Sequence, residues 1–352
     1  MHLNFRVGLL IALGLVVLLP VSCTTDVDIN AEPQDIWAVY GTLNPTDSVQ
    51  DIRIASGFLP EGNAEDAAAT LDLSLRGLLV VLRSGGQEWV ATQVDSVQKE
   101  PGTFFEYQTI YRFETQGSNA LEPGETYQLI VTRPDDASFE LRSSTTIPDA
   151  INFSSPVVTP GPGGQRCLRQ VSLENEYKIV FSRGDALGFE IRAYLDYTED
   201  GISKQAVYGP TRMFTDGVRC LEEGSTMCYQ FRDGEILRDL FNDMSPVPSR
   251  DYRYGVTEAT RCNDNPEDLP DAFRFEVTAV DSAIATYRIA NDPAFVDLNT
   301  VRNEYTNISG NGITIGVFGS VNTGTASAQL SPCAMYLLQL NDTPAPVSPC
   351  EF

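Results

Sequence analysis

Short segments in which apolar and polar residues alternate follow one another through the first half of the chain. In the segment QDIRIAS, for example, Ile52 and Ile54 alternate with charged neighbours. The other segments with this character are DIWAVYGTL, LDLSLRGLLVVLRSG, EWVATQV, FFEYQTIYRFET, TYQLIVTRP and SFELRSSTTI. Turn residues, mostly Gly and Pro, separate them. This spacing predicts an immunoglobulin- or fibronectin-like β-sandwich over residues 35–148.

The segment LEPGETYQLIV adds a more specific signal to this pattern. Leu121, the Pro123-Gly124 turn and Tyr127 just inside the next strand resemble the tyrosine corner of immunoglobulin-like domains. In such a corner the buried tyrosine hydroxyl bonds back across the turn and holds the crossing between the two sheets. An ordinary turn followed by a strand tyrosine is the alternative.

The second half of the chain is also rich in strand patterns, and it adds two helical ones. The strand segments are YKIVFSR, GFEIRAYLDYTED, MCYQFRDG, DAFRFEVTAV, ITIGVFGSV and AMYLLQL. The segment GEILRDLFNDM spaces its apolar residues as one helical face, and DSAIATYRIAND begins with Asp281, a good N-cap residue. We therefore predict a second β-rich domain with two short helices over residues 149–345, followed by a tail at 346–352.

The beginning of the chain combines one positive charge with an apolar run. Residues 7–19 form that run, which is shorter than the roughly 20 residues of a bilayer-spanning helix. The sequence from Leu19 to Cys23 resembles the bacterial lipobox. The resemblance implies that residues 1–22 are a signal peptide, that Cys23 carries lipid and that residues 23–34 are a tether; two or more acyl chains anchor a protein stably. The alternative is an ordinary secretory signal with an incidental cysteine.

The composition excludes several classes of function. The formal net charge is −24, and loss of the signal, in which Arg6 is the only charged residue, makes it −25. A surface this acidic repels phosphate backbones, so we expect no nucleic-acid partner. The only histidine is His2, in the predicted signal, so the mature chain has no histidine base, triad or metal ligand. We expect neither an enzyme nor a bound cofactor.

Six cysteines remain after Cys23 is assigned to lipid, and all lie in the second half of the chain. They are Cys167, Cys220, Cys228, Cys262, Cys333 and Cys350. An even number in an exported protein predicts three disulfides, and the absence of a Cys-x-x-Cys pair argues against zinc. The sequence leaves the connectivity open. We favour Cys220–Cys228 as a hairpin clasp and Cys333–Cys350 as a tie for the tail.

A glycine-rich segment and an acidic loop are the remaining candidate sites. Phosphate-binding loops open a helix and usually carry Lys, whereas glycines at positions 310, 312, 316 and 319 alternate with apolar residues, as in a closely packed strand. The loop CNDNPEDLPD offers oxygen ligands for calcium, although prolines interrupt it and a solvated acidic loop is the alternative. The calcium candidates are Asp264, Glu267, Asp268 and Asp271.

Tyrosines in the segment SRDYRYG are a further candidate. Tyr252 and Tyr254, which stand beside Arg250 and Arg253, could form a sugar-stacking surface. They fit equally well as alternate residues of a strand.

Several stretches together resemble a family of Bacteroidota lipoproteins defined as a domain of unknown function. They are VYGTLNPTDSVQDIRI, LEPGETYQLIV with STTIP, EVTAVDSAIATYRIANDP and VRNEYTNISGNGITIGVFGS, and the resemblance spans residues 34–340. It implies a surface-facing outer-membrane lipoprotein, sometimes associated with TonB-dependent transport. We therefore expect a binding or accessory module for a transporter, another envelope protein or an extracellular ligand. The alternatives are a carboxylate-dependent glycoside hydrolase and a purely structural envelope protein.

Overall fold

A computed structural model provides the three-dimensional description of the chain. The residues it describes are 36–57, 69–99, 105–156, 159–160, 166–167, 170–171, 176–214, 226–232, 234–244, 252–254, 262–263, 273–291 and 305–330. The predicted signal peptide and tether lie outside these residues, as does the segment AMYLLQL. The described part is mainly β with two helices, as the sequence predicted.

Eight strands and a 3-10 turn at Gly117–Asn119 build the first part of the fold. The strands are β1 (Ile36–Leu43), β2 (Val49–Ser56), β3 (Leu79–Ser84), β4 (Gln87–Val90), β5 (Thr92–Gln98), β6 (Tyr107–Glu114), β7 (Thr126–Arg133) and β8 (Asp136–Thr146). Further strands and both helices follow. These are β9 (Phe153–Ser155), β10 (Thr159–Pro160), β11 (Arg166–Cys167), β12 (Gln170–Val171), β13 (Tyr177–Ser182), β14 (Gly188–Glu199), β15 (Ile202–Phe214), β16 (Thr226–Phe231), α1 (Glu235–Met244), β17 (Tyr252–Tyr254), β18 (Cys262–Asn263), β19 (Phe273–Val280), α2 (Ser282–Asn291), β20 (Ser309–Gly310) and β21 (Ile313–Leu330).

Two sheets face each other across the first hydrophobic core. One has the strand order β20-β8-β7-β3-β4, and the other contains β21-β1-β2-β6-β5. In β2, Ile52 and Ile54 are fully buried while Asp51 and Arg53 are exposed, because successive side chains of a strand point to opposite faces. The large side chains at the centre of this core are Trp89, Tyr111, Phe113, Tyr127 and Phe318.

The long strand β21 connects this sandwich to the second half of the chain. Its first part pairs in parallel with β1, from Ile313 opposite Ile36 to Ser320 opposite Leu43. Its second part pairs antiparallel with β19, from Val321 to Ala328. One sheet therefore crosses both halves, in the order β15-β14-β19-β21-β1-β2-β6-β5. The division into domains at residues 148 and 149 stays a prediction, and the sheet continues across it.

The second core is strongly aromatic and lies beneath β14 and β19. Tyr177 stacks on Phe275 with ring centroids 5.3 Å apart, and Phe231 lies 5.5 Å from Phe275. Helix α1 closes this core with four buried residues, Ile236, Leu237, Leu240 and Met244. These belong to the face that the helical spacing predicted, so the first predicted helix is confirmed.

The predicted tyrosine corner is confirmed by its hydrogen bond. Tyr127 is buried, and its hydroxyl accepts a hydrogen bond from the Glu122 N–H at 2.8 Å across the turn. The N–H of Gly124 donates to the Ile147 carbonyl at 2.8 Å, which ties the same turn to the end of β8. Burial raises the pKa of the Tyr127 hydroxyl, which therefore stays protonated at neutral pH.

Gly316 explains the glycine-rich pattern near the end of the chain. Its φ is +98°, and a Cβ added there would lie 2.1 Å from the Val39 carbonyl oxygen on the neighbouring strand. A side chain therefore has no room, which confirms that this glycine lets two backbones approach closely within a strand.

Helix α2 begins where the sequence predicted. The Asp281 carboxylate accepts a hydrogen bond from the Ile284 N–H at 2.8 Å, which is the standard N-cap bond. Neither described helix is long and apolar enough to cross a bilayer.

Candidate ligand-binding face

The outward face of strand β14 carries charged and aromatic side chains at every second position. Phe189, Ile191, Ala193 and Leu195 point into the second core. The residues that alternate with them are Glu190, Arg192, Tyr194 and Asp196. The pairing of β14 with β15 and β19 brings the matching positions of those strands to the same outward face, because directly paired residues share a face.

Glu190 is the centre of this face, and three arginines surround it. Arg212, its direct partner on β15, donates from Nε to Oε1 at 3.3 Å. Arg288 of helix α2 donates from Nη2 to Oε2 at 3.1 Å, and Arg192 Nη2 lies 3.9 Å from the same oxygen. The Glu190 side chain is only 7% exposed. A buried carboxylate needs such partners, since an unpaired one would cost several kcal/mol.

The charged network extends along the face from Arg192. Arg192 Nη1 lies 3.6 Å from Glu276 Oε1, and the Tyr194 hydroxyl donates to that oxygen at 3.0 Å. Burial raises the pKa of Tyr194, and the neighbouring Glu276 carboxylate raises it further. The Arg274 guanidinium lies 4.9 Å from the centre of the Tyr194 ring and pairs with Asp196.

The face has a charge pattern unlike the chain as a whole. Four arginines and three carboxylates give it a formal charge of about +1, whereas the whole chain carries −24. Hydroxyl groups continue the polar face onto β21. The Oγ1 atoms of Thr278 and Thr323 are 3.1 Å apart. An open polar sheet face rich in arginine is suited to binding another molecule through hydrogen bonds and charge.

The sequence patterns did not predict this face. The strand GFEIRAYLDYTED was predicted, but its polar positions were not singled out. The available signal was the run of charged or aromatic residues at every second position. The arginines that complete the cluster come from β15 and α2, so sequence spacing gives no indication of their convergence on Glu190.

A second polar region surrounds Asp281, where the sandwich meets the second half of the chain. It borders a cavity of about 420 Å³ lined by Ser144, Thr145, Thr146, Pro148, Asp185, Leu187, Asp281 and Ser282. Two carboxyl groups therefore line one cavity, as the hydrolase alternative requires. However, Asp281 Oδ1 caps helix α2 and its Oδ2 accepts a bond from Thr145. Since both oxygens are engaged inside the protein, the geometry favours a structural role for Asp281.

The sequence-predicted cysteines fall in different places. Cys228 is buried in β16 and is disulfide-bonded. Its predicted partner Cys220 lies outside the described residues, so this pairing stays a prediction. The register of β11 and β18 places Cys167 directly opposite Cys262. Cys23, Cys333 and Cys350 lie outside the described residues.

The described residues include only some of the other candidate sites. The four calcium candidates, positions 264, 267, 268 and 271, lie outside the described residues. Within the described residues, no group of three or more carboxylate or cysteine side chains is arranged to hold a metal. Tyr252 and Tyr254 form β17, which pairs with β14 opposite Glu199 and Tyr197, so they occupy alternate strand positions.

Comparison with known proteins finds no match to any family model, curated protein or solved structure. The resemblance to Bacteroidota lipoproteins therefore stays a prediction.

Proposed function

We propose that this chain is a surface-facing outer-membrane lipoprotein that acts as a binding or accessory module. Cys23 supplies the lipid anchor, and the outward face of β14, β15 and β19 contacts a partner. The partner is a TonB-dependent transporter or another envelope protein, or else an extracellular ligand.

The arrangement around Glu190 carries this proposal. A chain of formal charge −24 places three arginines around one carboxylate on an outward sheet face. Arginine is enriched in protein interfaces because its planar guanidinium makes several directed hydrogen bonds while packing flat. The half-buried Thr323, whose hydroxyl contacts that of the buried Thr278, continues the polar face beside it.

The anchor is tested first, by fractionation of cells that produce the Cys23→Ala variant. Without the cysteine no thioether to diacylglycerol can form, so we expect the variant to be released from membranes. Continued membrane association of the variant would overturn the assignment of the anchor.

The binding face is tested by co-purification after extraction in mild detergent. Arg212→Glu reverses a charge on the face at a half-exposed position, so we expect partner recovery to fall. Arg83→Glu is the matched control, since Arg83 is similarly exposed and pairs with Glu88 at 2.7 Å on the sandwich. Equal recovery of the same partners with both variants would contradict the proposed face.

A further inference from the structure

We propose that Arg192, Arg212 and Arg288 bind an oxyanion group of the ligand, a carboxylate, sulfate or phosphate. This inference rests on the proposed function, because it assigns a ligand chemistry to the same face. It depends on three features of the cluster: its charge balance, its unused donors and its fixed geometry.

The charge balance around Glu190 leaves positive charge in excess. Three guanidiniums contact its single carboxylate, and Glu276 contacts one of the three, Arg192. Arginine stays protonated in proteins, so the excess cannot be relieved by loss of a proton. The three guanidiniums carry like charges and therefore repel one another. An anion from outside would remove this repulsion.

The donors of the cluster are only partly used. The bonds to Glu190 occupy Nε of Arg212 and one Nη of Arg288. Each guanidinium has five N–H groups in a planar fork. The side chains of Arg212, Arg192 and Arg288 are 51%, 31% and 26% exposed. Further N–H groups can therefore reach an oxyanion at the surface, and such charge-assisted bonds are about twice as strong as neutral ones.

The geometry of the cluster is set before any ligand arrives. Glu190 is nearly buried on β14 and holds guanidiniums from two strands and a helix around it. Side chains that are already ordered lose less conformational entropy on binding. Glu190 thus acts as a positioning residue for the arginines.

The overall charge of the chain limits which anions can bind. A net charge of −24 repels long polyanions at a distance. At physiological salt the Debye length is about 8 Å, so the local arginines dominate at contact range. The site therefore suits isolated or widely spaced oxyanion groups, as on an acidic sugar or a phosphorylated lipid headgroup.

The test is calorimetric titration of the detergent-solubilised full chain with sulfate, phosphate and glucuronate, each against chloride at equal ionic strength. We expect saturable binding of at least one probe, and about tenfold weaker binding in Arg212→Gln and in Arg288→Gln, since one charged hydrogen bond is lost in each. Arg83→Gln should bind as the unaltered chain does. Preference for glucuronate indicates a carboxylate-bearing sugar as the source, and preference for phosphate indicates a lipid headgroup.

Glu190→Gln is expected to change the affinity for the probe in the opposite direction from the arginine variants. It removes the negative charge that the probe must compete with, while the glutamine oxygen can still accept a hydrogen bond and position an arginine. We therefore expect tighter binding, and circular dichroism verifies that the variant is folded. A purely structural ion-pair network would give no saturable binding in the unaltered chain, or binding in Arg212→Gln and Arg288→Gln equal to that of the unaltered chain, and either result overturns the inference.

Loss of probe binding in those variants without loss of co-purified partners would reject the proposed partner face and keep the oxyanion site. If no probe binds but partner recovery depends on Arg212, the oxyanion site is rejected and the proposed partner face is kept.

Discussion

Thr145 of the sandwich and Asp281 at the start of helix α2 are hydrogen-bonded although 136 positions separate them. Thr145 Oγ1 also lies 2.7 Å from Ser320 Oγ, which donates to the Thr146 carbonyl at 2.8 Å. The three contacts are Thr145–Asp281, Thr145–Ser320 and Ser320–Thr146. When Asp281 is ionised, only the hydroxyl protons of Thr145 and Ser320 are available for them. A protonated Asp281 supplies a third proton. Burial raises the pKa of the Asp281 carboxyl, and the hydrogen bonds from Thr145 and from backbone N–H groups offset this only in part.

The Asp281 junction makes stability depend on pH. Between the ordinary pKa of 3.8 and the raised folded value, the unfolded chain has lost the proton while the folded chain keeps it. The free energy of unfolding therefore falls as pH rises through this window. We expect Asp281→Asn, which can cap the helix and donate to Thr145, to remove this decline. Urea denaturation at several pH values across the acidic range measures this change in the free energy of unfolding.

Controls for this prediction separate the charge from the cap. Asp281→Ala loses the cap as well, so we expect it to lower stability by about 1 kcal/mol. Asp185, which lines the same cavity, and Tyr305 stay unsubstituted in both variants. Burial raises the pKa of Tyr305 and Asp281 raises it further, so both variants lose the second contribution. An unchanged pH slope in Asp281→Asn would assign the slope to other groups.

The tyrosine corner is expected to contribute measurably to folding. Tyr127→Phe leaves the Glu122 N–H without its acceptor, so we expect a loss of about 1–2 kcal/mol in the free energy of unfolding. Tyr107→Phe is the control, since that ring is 42% exposed. Equal denaturant midpoints for the two variants would show that the corner bond adds nothing to stability.

Close packing at Gly316 predicts a large effect of a small substitution. Gly316→Ala places Cβ against the Val39 carbonyl and keeps an unfavourable φ, so we expect a loss of about 3 kcal/mol or more. Gly77→Ala is the matched control: its φ is +69°, but no atom lies within 4 Å of an added Cβ. It should cost only about 1 kcal/mol. Thermal unfolding compares the two, and similar losses would mean that β21 moves to accommodate the methyl group.

The strand register assigns one cysteine pair. Cys167 and Cys262 are directly opposite on antiparallel strands, where Cα atoms lie about 4.5–5.5 Å apart, within the range that a disulfide spans. We expect mass spectrometry of the unreduced protein to find these two residues in one linked peptide pair. Cys167 linked to another cysteine would show that the register does not determine the pairing. The remaining pairs stay as predicted, Cys220 with Cys228 and Cys333 with Cys350.

Local patterns in the sequence were sufficient for several elements of this fold, although β15 (Ile202–Phe214) was not among the predicted strands. Alternation in β2, the helical face of α1, the cap at Asp281 and the turn before Tyr127 each involve residues close together in the chain. The strand and the helix depend on backbone geometry that repeats every two or about 3.6 residues, and the cap and the turn depend on hydrogen bonds between near neighbours in the sequence.

Only the tertiary structure decided how these elements combine. β21 pairs with β1 and with β19, so one sheet crosses both halves of the chain, which no local pattern predicts. Nor did spacing indicate that Arg288 would bond to Glu190, because 98 positions separate them and helix α2 must pack beside β14 to bring them together. Strand order and register arise from the packing of whole faces, and the charged site arises from them.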